Sequence, residues 1–113
     1  MEPRIAASVL ASALIRKAEG EGGFAAVLAR GDPTAGSILV ILLEKGQNPR
    51  LFERLLTSGG RYEWQESGSQ DIENAADVPA LVARKRRFDP DLWVLELDIP
   101  SAERFAAEMN ALD

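Results

Sequence analysis

Ile38-Leu39-Val40-Ile41-Leu42-Leu43 places six apolar residues in succession. Gly31-Asp32-Pro33-Thr34-Ala35-Gly36 precedes the run and Lys45-Gly46-Gln47-Asn48-Pro49 follows it, both rich in turn-forming residues. An apolar run of this length between turns fits a central strand covered on both faces better than a half-exposed one. The strand is read as residues 37–44. Upstream, residues 24–30 read as a second strand, and the glycine-bounded 31–36 segment as a plain hairpin connection between the two. Downstream, residues 50–56 and 61–66 read as two more strands across Ser58-Gly59-Gly60. In the last of these Tyr62 and Trp64 share a face, opposite Arg61, Glu63 and Gln65. Four consecutive strands with short links predict an antiparallel meander.

Helices flank this group. Residues 4–19 pair Val9 with Ala13 and Leu10 with Leu14 at i and i+4, and Gly20, Gly22 and Gly23 end the helix. Residues 67–74 are polar and read as a loop. Asp77-Val78-Pro79 starts a second helix, which carries basic residues in its last turn, where they complement the helix dipole, and ends at about Arg87. Asp89-Pro90 breaks it. Residues 92–99 form a fifth strand with Trp93, Leu95, Leu97 and Ile99 on one face. Leu92, Val94, Glu96 and Asp98 lie on the other. A last helix opens at Ser101 and buries Phe105, Met109 and Leu112. The order α-β-β-β-β-α-β-α over residues 1–113 predicts a single α+β domain with a mostly antiparallel five-stranded sheet and helices packed on it.

The totals narrow the chemistry. The 113 residues are 46% hydrophobic and 27% charged, the balance of an ordinary globular domain. There is no cysteine, which removes disulfides, thiolate nucleophiles and zinc–thiolate sites. There is no histidine, the commonest general base and transition-metal ligand. A net charge of −5 disfavours general nucleic-acid binding, which needs a positive field. No apolar run approaches the ~20 residues that span a bilayer. Ala11-Ser12-Ala13 has the form of a signal-cleavage site, but a leader of 13 residues with Glu2 at its start is too short. The expectation is a cytoplasmic protein without a membrane span.

Four constellations are candidates for function. Arg84, Lys85, Arg86 and Arg87 could meet an acidic partner or nucleic-acid phosphates, although four successive helical residues point in directions about 100° apart. Asp89-Pro90-Asp91 could flank a divalent cation or serve as an acid–base pair, but lacks the ligands of a calcium loop and reads better as a turn. Gly31-Asp32-Pro33-Thr34-Ala35-Gly36 lacks the Lys-Ser/Thr and the following helix of a phosphate-binding loop. The aromatic set is Tyr62, Trp64, Phe88 and Trp93. Trp93 is assigned to the core and Trp64 is expected to be the exposed one.

Three segments together resemble a known pattern: Gly23-Phe24-Ala25 entering a strand, Arg30-Gly31-Asp32-Pro33-Thr34-Ala35-Gly36 before the apolar strand, and Arg86-Arg87-Phe88-Asp89-Pro90-Asp91-Leu92-Trp93 before the last one. The chain resembles domain-of-unknown-function family 1491, small alphaproteobacterial proteins of about this length. The resemblance runs from the first helix to the 92–98 strand. It implies a bacterial cytoplasmic protein and brings no activity, cofactor or catalytic residue with it.

The function expected from these residues is a small protein–protein interaction module that self-associates, acting through Tyr62 and Trp64 at a sheet margin, with homodimerisation as one outcome. The alternative is nucleic-acid or acidic-partner binding through Arg84, Lys85, Arg86 and Arg87. A metal-dependent or carboxylate-based enzyme built on Asp89, Asp91 and Arg87 ranks last. No catalytic residue, metal ligand or cofactor is assigned.

Overall fold

The structure, a computed structural model, describes residues 5–67 and 72–112. Residue 4, the expected start of the first helix, and residues 68–71 of the expected polar loop lie outside the described residues. The elements run α1 (Ala7–Gly20), β1 (Phe24–Ala29), β2 (Ile38–Glu44), β3 (Gln47–Leu56), β4 (Tyr62–Glu66), α2 (Val78–Phe88), β5 (Trp93–Asp98) and α3 (Ala102–Met109). Five strands and three α-helices thus make one α+β domain among the described residues.

The apolar run occupies the middle of the sheet. Residues 38–43 are all buried, and they divide by parity between two cores. Ile38, Val40 and Leu42 pack with Leu10 and Leu14 of α1 and Phe105 and Met109 of α3. Leu39, Ile41 and Leu43 pack with Val78 and Leu81 of α2. A strand with a helix layer on each face has no wet side, which is why it carries no polar alternation. β5 divides in the same way: Trp93, Leu95 and Leu97 face α1 and α3, while Val94 faces α2.

The strand order is β1-β5-β2-β3-β4, so the sheet is mixed rather than a meander throughout. β2, β3 and β4 do form an antiparallel meander. β1 does not pair with β2. It lies at the far margin, antiparallel to β5, and β5 runs parallel to β2 from Ile38↔Trp93 to Leu43↔Asp98. The 31–36 segment is therefore no hairpin but a bridge across the entry of β5. The turn before β5 holds it there: the Asp32 amide donates to the Asp91 carbonyl (3.0 Å) and the Trp93 amide to the Ser37 carbonyl (2.8 Å). The length and glycines of this segment fit either a hairpin or a bridge. Only partners about sixty residues away choose between them.

The turn between β2 and β3 is sharper than the sequence suggests. Lys45 and Gly46 take positive φ (52° and 73°) and close β2 onto β3 in two residues, so β3 begins at Gln47, not at residue 50. The Asp98 carboxylate accepts from the amides of both Lys45 (2.8 Å) and Gly46 (2.7 Å), fixing this hairpin to the end of β5. Glu44 accepts from the Ala102 amide (2.8 Å), and the Ser101 hydroxyl from the Arg104 amide (3.2 Å), so the first turn of α3 is capped twice.

Candidate functional site

The two most distinctive sequence segments meet and interlock. Arg86 turns back from α2 and its Nη1 donates to the carbonyls of Arg30 (3.2 Å), Leu92 (3.1 Å) and Pro90. The Trp93 indole N–H donates to the Asp32 carbonyl (2.7 Å), and the Arg30 guanidinium lies 5.4 Å from the indole ring. The Asp32 carboxylate accepts from the amides of Thr34 (3.1 Å) and Ala35 (2.7 Å), which closes the loop on itself. The carbonyls of Thr34 and Pro33 then accept from the Ala7 and Ser8 amides, capping the start of α1. A Cβ at Gly31 would stand 2.0 Å from the Asp91 carbonyl oxygen, and one at Gly36 2.5 Å, so both positions require the bare backbone. The chemistry of these motifs is spent on joining α1, α2, β2 and β5.

The basic run is correspondingly divided. Lys85 pairs with Glu53 of β3 (2.6 Å) and Arg86 is taken up by the three carbonyls. Arg84 and Arg87 are exposed. The run does not form one flat patch, as the helical pitch implies. Asp89 accepts from the amide of Asp91 (3.1 Å) in a turn, and Asp91 is exposed. No cluster of metal-ligating side chains occurs among the described residues.

The aromatic residues correct one expectation. Trp64 is 6% exposed and belongs to the core under α1 and α3, because its side of β4 faces that layer. Its indole nitrogen is buried without a hydrogen-bond partner. Tyr62 lies half-buried with the Arg54 guanidinium 4.3 Å from its ring. Trp93 is in the core, as its strand position predicts. Phe88 is the exposed aromatic of the set, at 85%.

The sheet has two margins of opposite character. β4 is short and carries Glu63 and Glu66, and its Trp64 amide is taken by the Asn110 side chain (2.9 Å). Arg50 bonds Glu66 through two N–H groups (2.9 Å each), which raises the arginine and holds the Glu66 carboxyl below its ordinary range. β1, Phe24-Ala25-Ala26-Val27-Leu28-Ala29, carries no charge, and no described strand pairs with its outer side. Phe24 is 77% exposed and Leu28 40%. The sequence leaves the place of β5 open; its insertion between β1 and β2 is what leaves β1 at the margin. The missing charges of β1 were the available signal.

Open grooves flank the sheet among the described residues. One, of about 490 Å³, lies between α2 and β3 and is lined by Leu55, Arg84, Phe88 and Leu92 among others. Another, of about 400 Å³, lies between α2 and the β1 margin and is lined by Leu28, Val78, Pro79, Val82, Ala83 and Glu96. No described helix is long and apolar enough to cross a membrane.

A mixed five-stranded sheet between helix layers, tied by the interlocked 30–36 and 86–93 segments, defines a small α+β domain whose open features are a strand margin and these grooves. The chain belongs to the family described as "Protein of unknown function (DUF1491)", which it matches over residues 5–107. It is similar to a DUF1491 family protein from Caulobacter crescentus known from a crystal structure, with 31% identity over 90% of this chain and 94% of that one and a TM-score of 0.75. The solution structure of a protein from A. tumefaciens is similar too, with 31% identity over 91% of this chain and 92% of that one and a TM-score of 0.69. No curated protein matches the chain.

Proposed function

We propose that this chain is a small cytoplasmic protein–protein interaction module that adds an extended partner segment to the outer side of β1. The observation that supports it is the contrast between the two sheet margins. An open strand margin presents unpaired amides and carbonyls, and natural sheets blunt such margins with charges, covers or short strands. β4 has all three features, in Glu63, Glu66, Asn110 and its five residues. β1 has six uncharged residues and an outward-facing phenylalanine. Pairing along such a margin supplies backbone hydrogen bonds for affinity and alternate side chains for specificity. The test is recovery of bound proteins by the tagged chain in its host, with a differently tagged second copy co-expressed. Recovery that is lost on Ala26→Lys supports the reading. Recovery unchanged by Ala26→Lys refutes it.

A second reading rests on Phe88. A ring 85% exposed at the rim of the α2–β3 groove, beside Arg84 and Arg87, suits an acidic partner segment with an apolar anchor. It takes over the expectation placed on the basic run, with Lys85 and Arg86 withdrawn from contact. Phe88→Ser with Arg87→Glu would then abolish capture that Ala26→Lys leaves intact.

A further inference from the structure

We propose that the segment received by β1 is β1 of a second copy of this chain, paired antiparallel about a two-fold axis through Ala26; this rests on the reading of β1 as the docking margin. A two-fold axis normal to the sheet keeps each face on its own side, so only residues of equal parity stand opposite one another. Centred on Ala26, it sets Phe24 against Leu28 of the partner subunit and Ala25 against Val27 of the partner subunit.

Three features favour a copy over an unrelated strand. First, the margin is self-complementary. A two-fold contact sets each residue against the same strand, and β1 has no charge to meet its own kind. The nearest acid on that face, Glu96, pairs with Ala26 from β5. It would lie three strand spacings from its symmetry mate, about 14 Å, beyond the screening length of about 8 Å. Second, the chain supplies both a plug and its socket. Phe24 and Ala26 share the α2 side of the sheet with their partners Asp98 and Glu96. On that side Leu28 lines the 400 Å³ groove with Pro79, Val82 and Ala83. Leu28 keeps the parity of Phe24 and Ala26, and the register irregularity between Val27 and Ala29 brings Ala29 to the same side, opposite Val94. Phe24, left 77% exposed within its own chain, would come to rest over the groove of the other copy. Third, the assembly closes. A ten-stranded sheet formed this way uses both β1 margins and leaves only the two β4 margins outside, each blunted by Glu63, Glu66 and Asn110.

The experiment is sedimentation of the full chain across the micromolar range, together with cysteine cross-linking. The wild-type chain is expected to sediment as a dimer. Ala26→Lys should be a monomer with unchanged circular dichroism, since residue 26 is exposed. Phe24→Ala should weaken the dimer about a hundredfold, because each dimer holds two such rings. The chain has no cysteine, so Ala26→Cys introduces one thiol at the axis and should cross-link under mild oxidation. Val9→Cys, exposed on α1, should not. A strict monomer overturns the proposal. So does a dimer that survives Ala26→Lys, or one in which Val9→Cys cross-links and Ala26→Cys does not. If the chain is monomeric yet Ala26→Lys still abolishes protein capture, the second copy falls and the docking margin stands. If neither responds, both fall.

Discussion

Arg86 and Arg87 are adjacent in sequence, and the structure assigns them opposite consequences on truncation. Arg86→Met keeps an unbranched side chain of similar reach and removes the guanidinium. One nitrogen, Nη1, serves three carbonyls, those of Arg30, Pro90 and Leu92. That nitrogen carries two hydrogens, so two bonds can be well aligned and the third carbonyl shares one of them. A hydrogen bond to a charged donor contributes about 1.5–3 kcal/mol when its acceptor is shielded. Arg86 is only half-buried, and water can reach part of the knot, so the lower figure applies to each bond. The expected loss is about 3 kcal/mol. For a chain of this size each kcal/mol moves Tm by about 4 °C, so Tm should fall by roughly 12 °C. Arg87→Met should change stability by less than about 0.5 kcal/mol, as for other exposed surface positions. Urea unfolding read by tryptophan fluorescence and by circular dichroism would measure both. Equal, small losses for the two variants would refute the assignment of the 86–93 motif to the fold. So would an intact Arg86→Met protein that has lost a binding activity.

Further outcomes follow from the same contacts. Gly31→Ala drives a Cβ into the Asp91 backbone and should cost more than about 3 kcal/mol or prevent folding, measured by the same unfolding curves. Trp64→Ala should destabilise by about 3–5 kcal/mol as a core truncation, and Trp64→Phe far less, since the indole nitrogen makes no hydrogen bond that a phenyl ring would lose. Stability should also fall on acidification. The Arg50 guanidinium holds Glu66 below its ordinary value of 4.5, and the Glu73 and Asn74 amides hold Asp77 below 3.8. Groups lowered in the folded state contribute stability above their unfolded values and lose it as pH falls through the folded ones. Denaturation midpoints should therefore decline from about pH 4.5 downward. Lys17, raised above 10.5 by Glu108 and Glu21, works in reverse, its contribution fading as pH rises through the folded value. A midpoint flat across the acid range would refute the carboxylate contacts.

Much of the fold was legible because burial writes itself into local pattern. The unbroken 38–43 run announced a strand covered twice, and the alternation of Trp93, Leu95 and Leu97 announced its neighbour. What misled was order. Short links favour sequential pairing, yet the 31–36 segment between β1 and β2 bridges the entry of β5, held by Asp91 and Trp93, about sixty residues away. Nothing local distinguishes that bridge from a hairpin. The candidate site was not legible in the same way: the sequence did not say with which strand β5 pairs, and only its place between β1 and β2 leaves the outer side of β1 unpaired. Trp64 misled for a related reason: alternation puts Tyr62 and Trp64 on one face but does not say which face the helices cover. The basic run was read correctly as non-planar, whereas the capture of Arg86 by three carbonyls depends on a loop whose position the sequence did not specify.

Amide hydrogen exchange along β1 tests the docking margin most directly. In the associated state, alternate amides between Phe24 and Ala29 should exchange at least about tenfold more slowly than at dilutions where the chain is free, with the β4 amides unchanged. β1 amides exchanging at one rate at every concentration and with every captured protein, or protection that appears on β4 instead, would contradict it.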